Sequence, residues 1–162
     1  MNPPRYRAWR FVHPDFDAPE ERPGIQNSPT GGLATVEEAA SVRQSILLLL
    51  STRTGERVMR PEYGTDLHRL VFSPNDNTTA GLAIHYVRRA LNRWEPRIEI
   101  VHLDAARAIR TESAKPDAPA SGSDASGPDM ESFLTVVLHY RVRSTQHTER
   151  ISFSLNLAGE LI

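Results

Sequence analysis

Six of the twelve prolines fall within the first 34 residues of this 162-residue chain: Pro3, Pro4, Pro14, Pro19, Pro23 and Pro29. Proline fixes φ and lacks a backbone N–H, so residues 1–34 can form neither one helix nor a central strand. Nor do they read as an empty tail, because Tyr6, Trp9, Phe11, Val12 and Phe16 are large apolar groups. The segment is expected to be an extended arm that lays aromatic side chains onto the body of the protein or onto a neighbour.

The rest of the chain, residues 35–162, is the right size for one domain. Its pattern is α+β: two main helices packed on a small, mostly antiparallel sheet that ends in a C-terminal β-hairpin. A first helix is expected from Thr35, with Glu38 in capping-box spacing. Val36, Ala39, Ala40, Arg43, Ile46, Leu47 and Leu50 follow at three- and four-residue steps. Leu48 and Leu49 fill the other faces, which predicts a helix end buried nearly all round, and Gly55 is the expected stop. Arg57 to Pro61 reads as a short extended piece, Glu62 to Thr65 as a turn, and Asp66 as the cap of a single helical turn over Leu67–Phe72. After the turn residues 73–77, a second helix is expected over about Thr78–Trp94, with Leu82, Tyr86, Ala90 and Trp94 on its stripe and Val87 and Leu91 beside it. Pro96 ends that helix. Strands are expected at 97–105, 133–142 and 151–157, the last two as an antiparallel hairpin. Residues 111–130, rich in Ser, Ala, Pro, Gly and Asp, read as a flexible loop within the domain.

Composition narrows the chemistry. Cysteine is absent, which removes a thiol nucleophile, a zinc–thiolate site, an iron–sulfur cluster and a disulfide framework. A net charge of −1 argues against nucleic acid as a partner. Eighteen of the nineteen basic residues are arginine, with Lys115 the exception. Either a GC-rich genome or the planar guanidinium fork suited to interfaces accounts for that bias, and the two are compatible. No apolar run approaches the ~18–20 residues of a membrane span, and the N-terminus lacks the basic-then-apolar layout of a signal peptide. Production and assembly in the cytoplasm are therefore expected.

No phosphate loop, dinucleotide fingerprint, nucleophile elbow or zinc-protease helix is present. The six histidines are scattered without ligand spacing, so neither a metal nor a cofactor is expected. One enzymatic idea remains, a carboxylate pair for glycoside hydrolysis, ~5–10 Å apart, from Glu62 and Asp66 or from Glu95 and Glu99. Arg60, Arg69, Arg93 and Arg97 lie close to these positions, and arginine neighbours work against a general acid. Structural ion pairs are the favoured reading.

A longer constellation is more specific. The stretch Thr54-Gly55-Glu56-Arg57-Val58-Met59-Arg60-Pro61-Glu62-Tyr63-Gly64-Thr65-Asp66-Leu67 follows the leucine run, and the second helix leads into Trp94-Glu95-Pro96-Arg97-Ile98. Over about residues 33–105 this resembles the small baseplate wedge proteins of contractile tails. These are the sheath-initiating subunits of contractile phages, type VI secretion baseplates and extracellular contractile injection particles, once labelled lysozyme-like. The Glu-Pro-Arg tripeptide after the second helix is matched by Glu95, Pro96 and Arg97; the motif turn by Gly55, Glu56, Arg57, Arg60, Pro61, Glu62, Tyr63 and Gly64.

The resemblance implies a structural, non-enzymatic subunit, six copies per particle, that links the wedge to the first sheath ring. Its implied partners are the sheath protein, other wedge proteins and, further, central spike or inner tube proteins, in a phage tail-like particle that can be released from the cell. It also implies that the terminal hairpin accepts sheath strands. Ile151, Phe153, Leu155 and Leu157 give the docking strand one apolar face, and a proline at one of Ser152 and Ser154, whichever points its N–H outward, is expected to block pairing. The alternative remains a lysozyme-like muramidase using Glu62 and Asp66. The proline-rich arm and the 111–130 loop depart from the simplest family members.

Overall fold

In the computed structural model, residues 6–13, 22–107 and 133–158 are described. Chain order is β1 (Arg7–Trp9), β2 (Phe11–Val12), β3 (Gly24–Ile25), β4 (Thr35–Glu37), α1 (Glu38–Ser51), a 3-10 turn (Leu67–Leu70), α2 (Asn77–Trp94), β5 (Ile98–Arg107), β6 (Phe133–Val142) and β7 (Thr148–Asn156). The fold is α+β, as the sequence pattern indicates. The loop expected over 111–130 lies outside the described residues.

The arm pairs with itself and with the body. Strand β1 runs antiparallel to β4, and β2 to β3. Gln44 of α1 fastens it: its Oε1 accepts the Phe11 N–H at 2.9 Å and its Nε2 donates to the Trp9 carbonyl at 2.8 Å. Val12 is buried beneath.

This pairing displaces the expected start of α1. Thr35 is not a cap; it lies in β4 opposite Trp9, and its hydroxyl accepts from the Arg7 guanidinium at 3.3 Å. The helix begins at Glu38 without a side-chain cap, and the Glu38 N–H is satisfied by the Tyr6 carbonyl at 2.9 Å. A ladder to a distant strand has replaced local capping. The helix end is buried nearly all round, with Ile46, Leu47, Leu49 and Leu50 all in the core. It stops at Thr52 rather than Gly55: Thr52 is extended, and its hydroxyl donates to the Leu48 carbonyl at 2.6 Å.

Residues 57–61 are turns, not the expected extended piece, and the helical turn closes at Leu70 rather than Phe72. Helix α2 is as expected in span, and the Asp76 carboxylate caps it by accepting the Thr79 N–H at 2.8 Å. Its buried stripe is Ala80, Ala83, Val87, Ala90 and Leu91, one step round from the expected one; Leu82 is largely exposed. Small alanines let the helix lie close to its neighbours.

Strands β5-β6-β7 form one antiparallel sheet in that order, with the 133–142 strand and the hairpin as expected. Side chains of β6 alternate strictly, burying Leu134, Val136, Leu138, Tyr140 and Val142. In β5 a register shift between Ile100 and His102 leaves Val101 outward. An extra residue in one strand inverts the parity, which is why Ile98 and Ile100 face the core before it and Leu103 after it. Both helices and the inner sheet face share one core, built on Val42, Ile46, Leu49, Val87, Leu91, Leu134, Leu138, Tyr140 and Ile151. Each such aliphatic side chain contributes roughly 1.5–3 kcal/mol by burial. Among the described residues no helix is long and apolar enough to cross a membrane.

Candidate functional site

The distinctive residues gather where α2 gives way to β5. Pro96 cannot continue a helix and pushes its predecessor out of helical geometry. Glu95 accordingly sits at φ −126°, ψ 67°, while its N–H still reaches the Leu91 carbonyl at 2.9 Å. That turn carries the Glu95 side chain inward, to 4% exposure. A buried carboxylate must be paired. Arg97 does so with two prongs, Nε to Oε1 and Nη2 to Oε2, the second at 2.5 Å. The hydrogen bond to Glu95 holds the Arg97 guanidinium above its ordinary pKa. Tyr6 of the arm lies under this guanidinium, 5.2 Å from its ring centroid. The hairpin ties in from the other side, with the Arg143 N–H on the Arg97 carbonyl at 2.9 Å and Nε of Arg143 on the Ile98 carbonyl at 3.1 Å.

The motif turn docks against the same helix end. Its loop is closed by a parallel bridge between Arg53 and Thr65. Gly64 holds φ 118°, and a Cβ there would lie 2.5 Å from the Thr52 carbonyl oxygen, so only glycine fits the crossing. Tyr63 packs edge-on against Trp94 at 5.4 Å, with the Arg57 guanidinium 4.5 Å from its centroid, and burial raises its phenol pKa. Arg93 pairs with the Glu62 carboxylate, and Trp94 Nε1 donates to the Glu62 carbonyl at 3.2 Å. Two motifs thirty residues apart in sequence thus form one junction.

The sequence profile of the family described as baseplate wedge protein gp25 matches residues 36–147, which takes in the loop, α2 and the junction. The chain belongs to this family. Membership places it among the baseplate wedge proteins. The baseplate wedge protein gp25 of Enterobacteria phage T4 is 34% identical over 59 residues, which cover 36% of this chain and 45% of that protein. The chain thus spans less than half the length of that curated relative. A crystal structure of a protein named as a tail lysozyme from Geobacter sulfurreducens is 33% identical, covers 75% of this chain and 95% of that one, and superposes with a TM-score of 0.57. A baseplate chain of the anti-feeding prophage shares the fold at 17% identity and a TM-score of 0.54, over 96% of this chain and 87% of that one.

In this family member the carboxylates singled out for hydrolysis are occupied differently. Glu62 is 66% exposed and held by Arg93, Glu95 is buried on Arg97, and Glu99 pairs with Arg141 across the sheet at 2.8 Å. Glu62 and Asp66 do line a common open cleft of 260 Å³, together with Tyr86, Arg89, Arg93 and Trp94. Among the described residues no three metal-ligating side chains gather.

The terminal strand has a defined polarity. The Val142 N–H donates to the His147 carbonyl, and the Arg143 N–H to the Arg97 carbonyl. Even-numbered β6 residues therefore bond to β7 and odd-numbered ones to β5. With Leu138 opposite Ile151 and Val136 opposite Phe153, the backbone groups of Ile151, Phe153 and Leu155 face β6. Those of Arg150, Ser152 and Ser154 face the outer edge of β7, where no further strand lies among the described residues. Ser152 and Ser154 share that side, since residues two apart always do, so the expectation that only one of them points outward is corrected. The side chains of Ile151, Phe153 and Leu157 are in this chain's own core, with Leu155 half-buried. The sequence pattern did not reveal Gln44 and Arg143 as fasteners, and it marked Arg93 as an ion-pairing neighbour of the carboxylates without giving Glu62 as its partner. A glutamine next to the apolar run of α1 was the one available signal for the first.

Proposed function

We propose that this chain is a non-catalytic baseplate adaptor that joins the wedge to the first sheath ring by accepting sheath strands along the outer edge of β7, in six copies per particle. Other wedge proteins, and beyond them the spike or inner tube, are its remaining partners. The observation that carries the reading is that edge: Ser152 and Ser154 turn N–H and C=O outward while the apolar side chains between them are locked into the core. An added strand gains a full ladder, and the core sets the register so that the template cannot slip by one residue. A 210 Å³ cleft between Phe153–Leu155 and Leu50–Arg53 leaves room for the added strand's side chains. Engagement of Glu62, Glu95 and Glu99 by arginines supports a structural role over hydrolysis. The particle would assemble in the cytoplasm and act after release.

The test is Ser152→Pro with Ser154→Pro, which removes two outward donors and no bond to β6. The variant is expected to fold and to enter baseplates that carry tubes without ordered sheath. Electron micrographs showing normal contractile particles would refute sheath docking. A purified wild-type chain that clears cell wall in a zymogram, with activity lost in Glu62→Gln and Asp66→Asn, would refute the non-catalytic reading.

A further inference from the structure

At the tip of the loop between Arg53 and Thr65, Val58 is 85% and Met59 92% exposed. The loop beneath them is firmly built. The Glu56 N–H donates to the Arg53 carbonyl at 3.1 Å, Arg60 to Arg57 at 3.2 Å, Tyr63 to Arg60 at 3.0 Å, and Gly55 to Pro61 at 2.7 Å. Met59 holds φ 67°, a left-handed backbone that glycine or asparagine adopts with less strain than a long side chain. In the isolated chain, strain and exposure of an apolar side chain are both unfavourable. Burial against a partner offsets them.

We propose, on the reading that this chain is a baseplate component, that Val58 and Met59 form a knob that seats in an apolar socket with an acidic rim on a different baseplate protein. The rim follows from charge. Arg60 stands exposed next to the knob in sequence, Arg53 stands exposed at the base of the same loop, and Arg57 lies on Tyr63. Of the nearby acids, the Glu56 carboxylate accepts the Arg53 N–H at 3.0 Å and Glu62 is held by Arg93. The surplus at the tip is positive, so carboxylates complement it. Among the described residues, the clefts of a second copy do not supply a net acidic rim. The acids in them are matched or outnumbered by cations: Glu62 and Asp66 stand with Arg89 and Arg93, Glu99 stands with Arg88 and Arg143, and the other two clefts carry Arg10 and Arg43 or Arg53 and His68.

Two measurements test this in assembled particles. A photo-crosslinking amino acid replaces Met59, and in a second sample Ser152. Position 59 is expected to crosslink to an Asp- or Glu-bearing peptide of another baseplate protein. Separately, Met59→Asn keeps the left-handed backbone and removes the apolar group. It is expected to leave the melting temperature unchanged or raised while incorporation in competition with wild type falls about tenfold. A position-59 crosslink to a second copy, or none while position 152 still reacts, overturns the knob alone. So does wild-type incorporation of Met59→Asn. Flotation of the purified chain on anionic phospholipid vesicles, lost in Met59→Asn, overturns it in favour of a membrane surface. Silence at both positions overturns the baseplate reading and the knob with it.

Discussion

Replacing Arg97 by alanine is the sharpest perturbation the junction offers. Glu95 is 4% exposed and receives both of its charged hydrogen bonds from Arg97. Truncating one partner of a buried pair leaves an uncompensated charge and costs ~3–5 kcal/mol, against ~0–1 for an exposed pair. The Arg97 side chain retains 27% exposure, so water can partly replace it, which points to the lower figure. A loss of about 3 kcal/mol lowers the melting temperature by roughly 6–12 °C in a chain of this size. Arg97→Lys should recover only part of it, because an ammonium cannot bridge both oxygens. Glu95→Ala together with Arg97→Ala should cost less than the two single changes summed, since the double variant leaves no orphaned charge. Thermal unfolding of the wild type and the four variants measures this directly. Additive single and double variants, or Arg97→Ala melting within about 2 °C of wild type with particles assembling normally, would refute the reasoning.

Tyr140 is fully buried and its hydroxyl donates to Glu149 at 2.6 Å; burial first, and then that bond, push its pKa far above the tyrosine range. Tyr140→Phe should cost about 1.5–3 kcal/mol in chemical denaturation at neutral pH. Because the folded pKa is raised, the contribution is complete below the unfolded value of about 10 and is lost as pH rises above it. Tyr140→Phe should therefore flatten the alkaline limb of the stability profile, and a limb of unchanged steepness would contradict the assignment. Asp76 works in the opposite sense: the Thr79 N–H depresses its carboxyl, so its stabilisation is full above about pH 4 and vanishes as pH falls through the lower folded value. Asp76→Ala should lower the melting temperature at pH 7 and lose that deficit in acid, while Asp76→Asn should stay near wild type at pH 7.

The elements read from local rules are the ones whose determinants are local. Pro96 ended α2, the turn residues 73–77 preceded it, and the β-branched and aromatic run over 133–142 defined β6. The displaced start of α1 had a non-local cause, since Thr35 and Glu38 satisfy a capping box on paper but Arg7–Trp9 claims Thr35 for a ladder. The stripe of α2 shifted for a related reason: Leu82 outranks Ala83 in hydrophobicity, but the close-packed core takes the small residue, and Ala83 is fully buried. In the site, the motif residues were legible as a set. Their mutual grip was not, because Glu62 meets Arg93 and Tyr63 meets Trp94 only after the loop between Arg53 and Thr65 closes over Gly64.

The same contacts would hold the two proposed docking features, the β7 edge and the Met59 knob, in register. The arm reaches the junction through Tyr6, the loop through Glu62 and Trp94, and the hairpin through Arg143, and all three converge within a few residues of Pro96. Each link is a hydrogen bond, ion pair or ring contact with directional geometry, so each resists rotation as well as separation. A junction held by apolar packing alone would keep the pieces together but let them slide. A change at Arg97 is therefore expected to loosen the loop and the hairpin together. That coupling makes Arg97→Ala an assembly variant as well as a stability variant. At a temperature where the variant is fully folded, the sheath edge and the Met59 knob should both lose precision, and rescue of stability by added osmolyte should restore melting without restoring ordered particles.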